Sequence, residues 1–344
     1  MYNYAYYTLE RRKRFKEKKE MKKKLALIMA AVMTMMSLVA CGGSDSDVIK
    51  IGICQLVQHE SLDQATQGFI DGLKEAGYVD GENIKIDFQN ASGEPTNAQQ
   101  ICQLFESNGV DLVLANATPA AQSAVNVFQN TDVPVLFTSV TDAVSNGLVD
   151  SNEKPGKNVT GTLDMPVIAD QIQIIKDILP EAKTLAILYT SSEANSKIQA
   201  DEAEAAAKKL GMEVIIQTAT SSNDYQQVIE SVADKADAVY IPSDNGFASA
   251  MATVNQTAVA NKLPVFCAVE AMIKEGGIAT YAIDYYELGK QTAAQAVRIL
   301  KGEKASDIAV ETQKEFALVI NETFAKEVGV EIPQEILDKA AIKY

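Results

Sequence analysis

From Val48 onward, short runs of β-branched and other apolar residues alternate with longer segments of helical periodicity. The runs are mostly continuous rather than strictly alternating, which suits parallel strands covered on both faces. The first series predicts the strands Val48–Val57, Asn83–Asn90, Asp111–Ala115 and Val133–Ser139, and the helices Leu62–Gly77, Asn97–Asn108 and Pro119–Gln129. This order predicts right-handed crossovers and a doubly wound α/β sheet.

The same pattern begins again about halfway along the chain. The second series predicts the strands Thr184–Tyr189, Glu213–Thr218, Ala238–Pro242, Pro264–Val269 and Ile278–Ile283, and the helices Asn195–Leu210, Tyr225–Ala233, Phe247–Asn261 and Tyr286–Lys301. Two series of similar size predict an α/β fold with two Rossmann-like lobes. Because no Pro-, Gly- or Ser-rich spacer separates them, we expect short crossing segments near Leu163–Pro166, Ile283–Tyr285 and Phe316–Ile320.

These crossings divide the chain into two discontinuous lobes. We predict lobe 1 at residues 48–164, completed by about 284–320. We predict lobe 2 at residues 165–283, completed by residues 321–344.

The amino-terminal segment has the pattern of a bacterial export signal. Three lysines at positions 22–24 precede an uncharged 15-residue run, Leu25–Val39. That run is shorter than the ~20 residues that span a bilayer as a helix, but it has the size of a signal-peptide core. It leads into Ala40-Cys41, which resembles the lipobox, in which the cysteine sulfur is lipidated and becomes the new amino terminus after cleavage. An ordinary signal peptide with a chance cysteine is the alternative.

This interpretation assigns the first 47 residues to export and anchoring. Residues 21–40 are predicted as the lipoprotein signal peptide, Cys41 as the lipidation site, and residues 41–47 as the lipidated cysteine with a flexible tether. Met21 begins a complete signal, so residues 1–20 are predicted to be an upstream extension that is not the real start, or else an unusually long n-region. We expect the protein on the outer face of the cytoplasmic membrane, held by lipid.

Composition and missing motifs exclude several classes of function. The formal net charge of −15 disfavours a nucleic-acid partner. There is one histidine, so a zinc site with two histidines cannot form and Ser-His-Asp chemistry would have to use His59. Phosphate-binding glycine loops, Cys-x-x-Cys and His-Glu-x-x-His are absent from the sequence. We therefore expect no enzymatic activity, no cofactor and no metal, and interpret Cys54, Cys102 and Cys267 as structural thiols.

Polar residues follow many of the predicted strands, which is where ligands bind in open α/β sheets. The loops in question are Gln55–Asp63, Asn116–Pro119, Ser139–Asp142, Thr190–Ser192, Ser243–Gly246 and Asp284–Tyr286, with Glu270. The candidate ligand-binding residues are Gln55, Leu62, Asn116, Ala117, Thr118, Ser139, Val140, Thr141, Asp164, Ser191, Asp244, Asn245, Asp284 and Tyr285.

One of these loops is predicted to attract an anion. Pro119 suits the first turn of a helix, so Thr118 is predicted as the N-cap, with free backbone N–H groups just beyond it that favour a carboxylate or phosphate. The alternative is that Thr118 only caps its own helix. Ser139 and Thr141, at a neighbouring strand end, add two hydroxyl groups that can converge on the same anion.

Two further residues allow more than one interpretation. Asp244 either faces a ligand ammonium or caps the helix that starts near Phe247, and the sequence leaves both open. His59 has no recognisable nucleophile partner, so we interpret it as a surface or cleft-edge residue rather than a catalytic base.

Five stretches together resemble one protein family. They are QLVQHESLD at Gln55–Asp63, FIDGL at Phe69–Leu73, TDAVSNGLV at Thr141–Val149, IPSDN at Ile241–Asn245 and IDYYELG at Ile283–Gly289. They are similar to the solute-binding lipoproteins of ABC importers whose better-known members take tryptophan and other aromatic amino acids. The resemblance covers about residues 48–331 and implies the two-lobed periplasmic binding protein fold of the first type, with three crossing segments at the hinge.

The resemblance also implies roles for particular residues. By analogy with amino-acid binders of this fold, Ser139 and Thr141 with the Asn116–Thr118 loop would hold the α-carboxylate, and Asp244 would face the α-ammonium. Glu60 and Ala143 stand where family members often carry proline, and both lie near the expected cleft.

The leading hypothesis is therefore a lipid-anchored receptor that captures a small zwitterionic solute, an aromatic or apolar amino acid, between its lobes. Its expected partners are that ligand, an ABC permease with its ATPase subunit, and the membrane through the lipid anchor; we expect a monomer and no nucleic acid. A sugar- or nucleoside-binding protein of the same fold is the alternative within binding proteins. An exported hydrolase is the alternative from another class, and it lacks a recognisable nucleophile–base pair.

Overall fold

Two separate arrays of parallel strands dominate the computed structural model, which describes residues 48–344. The predicted signal peptide, Cys41 and the start at Met21 lie outside these residues. In chain order the strands are β1 (Ile49–Gln55), β2 (Ile84–Asn90), β3 (Leu112–Asn116), β4 (Val135–Val140), β5 (Val159–Leu163), β6 (Thr184–Thr190), β7 (Glu213–Ala219), β8 (Ala238–Ile241), β9 (Val265–Cys267), β10 (Ala279–Ala282), β11 (Glu311–Thr312), β12 (Ala317–Ile320) and β13 (Ile342–Lys343).

Helices connect most of these strands. In chain order they are α1 (Glu60–Glu75), α2 (Pro95–Asn108), α3 (Thr118–Phe128), α4 (Ile168–Ile178), α5 (Ala194–Lys209), α6 (Tyr225–Ala233), α7 (Asn245–Ser249), α8 (Met251–Asn261), α9 (Glu270–Gly276), α10 (Tyr285–Leu300), α11 (Glu322–Glu327) and α12 (Gln334–Leu337). Short 3₁₀ turns lie at Ser222–Asp224 and Ala305–Asp307. No helix within residues 48–344 combines the length and the apolar character needed to cross a bilayer.

The strands form sheets with the order expected of a doubly wound fold. The first sheet has the order β11-β5-β4-β3-β1-β2 and is parallel throughout. The second has the order β7-β6-β8-β9 and is also parallel. A third, β10-β12-β13, pairs β10 with β12 antiparallel. We use lobe 1 for the first sheet with its helices and lobe 2 for the other two. The predicted α/β class with two lobes is confirmed.

The chain passes between the lobes at three places in the described residues. These are 164–167, between β5 and α4; 283–284, between β10 and α10; and 313–316, between β11 and β12. The predicted domain boundaries stay a prediction, since Ile49–Tyr344 form one compact unit by their contacts.

Several elements differ from the sequence prediction. Strand β5 and helix α4 were not predicted, although β5 is fully buried in the first sheet. The predicted helix Phe247–Asn261 is two helices, because Ala250 has non-helical torsion angles between α7 and α8. The predicted strand Val48–Val57 ends at Gln55, where the N–H of Leu56 instead bonds the carbonyl of Asn116 at 3.1 Å.

Helices α1 and α10 pack unusually closely within lobe 1. A Cβ atom at Gly68 would meet the carbonyl of Tyr286, and one at Gly289 would meet the carbonyl of Ala65. Only glycine fits such a close approach of two backbones. Helix α10, which begins at a crossing segment, is therefore held directly against α1, which begins beside the site described next.

Candidate ligand-binding site

A cavity lies between the lobes, at the carboxyl ends of their parallel strands. The space between its atoms, with the opening to solvent included, amounts to about 330 Å³. It is lined by His59, Ser61, Leu62, Ser139, Thr141, Asp164, Asn195, Ser243, Asp244, Asn245, Ala248, Val269 and Tyr285. Lysine and arginine are absent from this lining, so any anionic group bound here is held by neutral donors.

Direct contacts join the two lobes around the cavity. Nε2 of Gln199 in α5 donates to Oγ1 of Thr141 at 2.8 Å. At the other end, Nε2 of His59 lies 3.3 Å from Oδ1 of Asn245. On the rim, Nζ of Lys274 bonds Oε1 of Glu60 at 2.8 Å. The lobes are therefore closed over the cavity.

An irregularity in β4 shapes one wall of the cavity. Ser139 has φ +56°, and the pairing of β4 with β5 shifts register between Phe137 and Val140. Such a bulge re-aims a side chain, and a non-glycine residue in the left-handed region costs on the order of 1 kcal/mol. Here the bulge sets Ser139 and Thr141 against the cavity, and Oγ of Ser139 has no hydrogen-bond partner in the part of the chain that the structure describes.

Asp164 is a buried carboxylate without a cation. It directly follows β5, is 6% exposed, and its Oδ2 accepts a 2.7 Å hydrogen bond from the hydroxyl of Tyr285. Its Oδ1 has no partner in the described residues. Burial raises the pKa of Asp164 to about 6, while the Tyr285 hydrogen bond opposes that shift. The group is therefore ionised at neutral pH at a free-energy cost, which a ligand cation would offset.

The cavity lining contains a concentration of unsatisfied polar atoms. Buried side-chain atoms with no hydrogen-bond partner are few in native proteins, and each calls for an explanation. Six such atoms, without a partner among residues 48–344, line this cavity: His59 Nδ1, Ser61 Oγ, Ser139 Oγ, Asp164 Oδ1, Asn195 Oδ1 and Ser243 Oγ. Hydroxyl donors and carbonyl or carboxylate acceptors occur together, which fits a ligand that carries both kinds of group.

Asp244 and Glu193 form a buried acidic pair in lobe 2. Asp244 caps α7 through Phe247 N at 2.9 Å and accepts from N and Oγ1 of Thr190 at 2.7 and 2.8 Å. Burial and the Asp244 charge raise the pKa of Glu193 to about 8, opposed by hydrogen bonds from the N–H groups of Asn245 and Gly246. The capping alternative for Asp244 is confirmed, and both its carboxylate oxygens already accept bonds from the protein.

The structure brings about half of the predicted ligand-binding residues to the cavity. Those that line it are Leu62, Ser139, Thr141, Asp164, Asp244, Asn245 and Tyr285. Those that do not line it are Gln55, Asn116, Ala117, Thr118, Val140, Ser191 and Asp284.

Gln55 and Asn116 lie behind the cavity and support its wall. Nε2 of Gln55 donates to Oδ1 of Asp63 at 2.7 Å, and Nδ2 of Asn116 donates to the carbonyl of Leu62 at 2.8 Å. Both side chains therefore fix the first turns of α1.

The loop before α3 was wrongly interpreted at one position. Thr118 is the first helical residue rather than the N-cap, and the N-cap is Ala117, with φ +90°. The reason is that the N–H of Ala117 bonds the carbonyl of Thr138, which leads the chain straight from β3 into the helix. Thr118 is buried beside the lobe 1 core rather than facing the cavity.

Three other predicted residues also have structural positions. Val140 packs in the lobe 1 core. Ser191 is exposed, and its N–H extends the pairing of β6 with β7 through the carbonyl of Ala219. Asp284 caps α10, because its Oδ1 accepts from Glu287 N at 3.0 Å.

Sequence reasoning missed several lining residues. His59, Ser61 and Ser243 lie in loops that were predicted to face the site, so their position at a strand end was the available signal. Val269 ends a predicted strand and so carried the same signal, whereas Asn195 and Ala248 lie within predicted helices and carried none.

The fold and the interlobe cavity define a two-lobed architecture of the periplasmic-binding-protein kind. A family model described as ABC transporter substrate binding protein matches residues 50–343. This chain belongs to that family.

Named relatives agree with the family. The chain is 41% identical over 318 residues to a protein named tyrosine-binding protein from Clostridioides difficile (strain R20291), a match covering 89% of this chain and 92% of the relative. A crystal structure from Streptococcus pneumoniae in complex with L-Trp is 37% identical, with a TM-score of 0.83 over 86% of this chain and all of the other. The ligand-free, open structure of a Clostridium difficile substrate-binding protein with adhesive properties is 41% identical, with a TM-score of 0.65 over 86% and 99%.

The TM-scores of the L-Trp complex and of the open, ligand-free structure agree with a closed conformation of this chain. The open, ligand-free structure fits this chain less well than the L-Trp complex does, although its sequence is more similar. This agrees with the direct contacts between the lobes at Thr141, His59 and Glu60.

Proposed function

We propose that this protein is the lipid-anchored, extracytoplasmic binding protein of an ABC importer, and that it captures a zwitterionic amino acid with an aromatic side chain between its lobes. The observation that carries the proposal is Asp164: a buried carboxylate with one oxygen unpartnered, in a cavity without lysine or arginine. Burying a charge without a partner costs several kcal/mol, so this arrangement suits a site completed by a ligand cation.

The α-ammonium is assigned to Asp164 rather than to Asp244. Oδ1 of Asp164 is free, whereas both oxygens of Asp244 hold the β6 end and the start of α7. Oδ1 of Asn195 is a second free acceptor for the same group. This replaces the expectation, drawn from family resemblance, that Asp244 faces the ammonium.

The α-carboxylate is assigned to the hydroxyl groups at the end of β4. Ser139 Oγ is unpartnered and lies two residues from Thr141, which also lines the cavity. Neutral hydroxyl donors recognise a carboxylate without a counter-charge, which fits a lining that lacks arginine and lysine.

Ligand binding and lobe closure are coupled through Asp164 in this scheme. In an open cleft water solvates the carboxylate, whereas in the closed form its pKa is raised to about 6 by burial. The closed form without ligand is therefore penalised at pH 7. A ligand cation removes that penalty, which gives the differential affinity that a conformational change requires.

An aromatic side chain is supported by the relatives and by the lining. The relatives carry the name tyrosine-binding protein and a bound L-Trp. Leu62, Ala248 and Val269 supply apolar surface in the cavity. We retain the proposal that the protein acts as a monomer without cofactor, nucleic acid or enzymatic activity.

Lipid anchoring and the translation start are proposed from the sequence alone. Two acyl chains on Cys41 suffice for stable membrane attachment. Replacing Cys41 by serine should abolish lipid labelling and release the protein from membranes; unchanged fractionation would contradict the anchor. Deleting codons 1–20 should leave export intact if Met21 is the start, and loss of export would show that the extension is functional.

The ligand class is tested by calorimetry on purified residues 44–344 with L-tyrosine, L-tryptophan and two analogues. Tyramine lacks the carboxylate, and 3-(4-hydroxyphenyl)propionate lacks the amine. We expect the amino acids to bind and each analogue to bind at least about 100-fold more weakly, because each leaves buried groups unpaired. An analogue that binds as tightly as its parent contradicts the zwitterion assignment, and binding of sugars or nucleosides instead contradicts the ligand class.

A further inference from the structure

His59 connects the first strand of lobe 1 to lobe 2. It is the residue before α1, at the end of β1, and its ring reaches Asn245 at the start of α7. Its side chain does not cap α1, so the ring is available to the cavity that it lines.

The neighbours of Asn245 determine which nitrogen of His59 carries the proton. Nδ2 of Asn245 donates to Oε2 of Glu193 at 2.6 Å. Both oxygens of Glu193 also accept backbone N–H groups, that of Asn245 at 3.1 Å and that of Gly246 at 2.9 Å. With its amide nitrogen toward Glu193, Asn245 presents its amide oxygen to His59.

Because an amide oxygen only accepts, Nε2 of His59 must be the donor in the 3.3 Å contact. Burial lowers the pKa of His59, so the imidazole is neutral and carries a single proton. In a neutral imidazole with a proton on Nε2, Nδ1 is an acceptor. Nδ1 of His59 is shielded from solvent and has no partner in the described residues.

The strand order places this acceptor at the far end of the site from Asp164. In the first sheet, whose strands have the order β5-β4-β3-β1, Asp164 follows β5, Ser139 and Thr141 lie at the end of β4, and His59 lies in the loop between β1 and α1. With strands about 4.8 Å apart, the ends of β4 and β1 are about 10 Å apart. An amino acid whose charged groups lie at β4 and β5 therefore directs its side chain toward β1.

Apolar lining residues lie close in the chain to both His59 and Asn245. Leu62 lies in the first turn of α1, which His59 precedes, and Ala248 lies in α7, which Asn245 begins; Val269 is a further apolar lining residue of lobe 2. An aromatic ring suits these walls, and a hydrogen-bond donor on that ring would meet the free nitrogen of His59.

We propose that Nδ1 of His59 accepts a hydrogen bond from the side chain of the bound amino acid, and that it selects ligands with a phenol hydroxyl or an indole N–H over phenylalanine. This inference rests on the proposed function and adds to it the residue that sets specificity. The Glu193–Asn245 pair is a positioning element, because it acts only by fixing the tautomer of the ring.

The test compares three amino acids and two conservative variants by calorimetry. The amide of asparagine reaches the position of Nδ1, and that of glutamine reaches the position of Nε2. The wild type should bind the tighter of L-tyrosine and L-tryptophan at least about tenfold more tightly than L-phenylalanine. His59→Asn should keep part of this preference, whereas His59→Gln, which keeps the bond to Asn245, should reduce it to within about twofold.

The single histidine of this chain makes a direct spectroscopic test possible. Protein labelled with ¹⁵N-histidine and made without a histidine tag should show, in its complex, an Nε2–H tautomer with an unprotonated Nδ1. The Nδ1 resonance should differ between the phenylalanine complex and that of the donor-bearing ligand. A merely structural histidine would not show this difference.

The outcomes separate the two proposals. If none of the three amino acids binds, the proposed ligand class fails and this inference fails with it. If they bind but phenylalanine is within threefold of the best ligand, or His59→Gln leaves the preference unchanged, or Nδ1 carries the proton, only the role of His59 is overturned.

Discussion

The hydroxyl of Tyr285 donates a 2.7 Å hydrogen bond to Oδ2 of Asp164, so the first and second crossing segments meet at the cavity. Tyr285 is 5% exposed and opens helix α10, while Asp164 follows β5 directly. The pair orients Oδ1 of Asp164 and leaves it without a partner. This hydrogen bond therefore joins the carboxylate of the candidate site to the residue that follows the second crossing segment.

Replacing Asp164 by asparagine should separate closure from ligand binding. The closed-state pKa of about 6, against an ordinary value of 3.8, corresponds to about 3 kcal/mol that opposes closure at pH 7. The variant should therefore populate the closed form without ligand, seen as a smaller radius of gyration in solution scattering. It should also bind amino acids at least about 100-fold more weakly, because the ammonium loses its partner. Asp201→Asn, an exposed change on α5, is the control, and wild-type affinity in Asp164→Asn would contradict the assignment.

The affinity for amino acids should fall at acid pH. A carboxyl group whose pKa is raised in the closed form binds a proton more readily there than in the open form, so the free-energy penalty on the empty closed form is absent at low pH, grows between pH 3.8 and about 6, and is full above that. The ammonium needs the ionised carboxylate, and the free protein is the open form, in which Asp164 has its ordinary pKa of 3.8; affinity should therefore be constant at neutral pH and weaken as the pH falls toward about 4. Tyr285→Phe removes a bond that lowers this pKa, and should move the decline to higher pH. Titrations at several pH values measure both curves, and a flat profile would count against Asp164.

Asp244→Ala should act on the stability of lobe 2. The change removes the acceptor of the N–H groups of Thr190 and Phe247 and of the Thr190 hydroxyl, all buried. We expect a loss of about 3 kcal/mol in the free energy of unfolding, since unsatisfied buried donors cost about 1–3 kcal/mol and a lost N-cap about 1. Denaturant unfolding of ligand-free protein measures it. Unchanged stability with lost binding would restore Asp244 as the ammonium partner.

The rim contact between Lys274 and Glu60 should contribute little. Their side chains are 46% and 32% exposed, and exposed ion pairs are typically worth less than about 1 kcal/mol. Lys274→Met should weaken ligand binding by no more than about fivefold. Raising the salt concentration should weaken ligand binding by the wild type to a similar extent, and should leave ligand binding by the variant unchanged. A larger effect of Lys274→Met would place this pair among the main determinants of closure.

Gly289→Ala should destabilise the fold by overpacking. The added methyl group would meet the backbone carbonyl of Ala65 in α1, which has little freedom to move. Overpacking in a tight core costs about 1–3 kcal/mol. Ala294→Leu, on the exposed face of the same helix, is the control for added bulk, and thermal unfolding compares the two. Equal stability of Gly289→Ala and wild type would show that the helices can separate.

Much of the architecture follows from sequence periodicity. The alternation of apolar runs and helices predicts both parallel arrays, since buried strands and amphipathic helices are local patterns. Strand β5 was not predicted because Thr160, Gly161 and Thr162 interrupt the apolar run Val159–Leu163. The hydroxyls of the two threonines are buried and bond the carbonyl of Ile308 and the hydroxyl of Thr292.

The site is less accessible to sequence reasoning than the fold. Position at a strand end identified Ser139, Thr141 and Tyr285, because topology alone brings such residues together. It did not distinguish Asn116, whose amide supports α1, from Ser61, which faces the cavity. That distinction depends on side-chain direction and on the approach of the second lobe, and neither is encoded locally.

The close contact of α1 and α10 makes these two helices one rigid part of lobe 1. With backbone against backbone at Gly68 and Gly289, these helices form a rigid strut from His59 to Tyr285. Any opening motion must then leave both residues in place and carry away Asn195, Ser243 and Asn245 on the other side. A solute entering the open cleft would meet one prearranged half of its site, and the other half would arrive with the moving lobe.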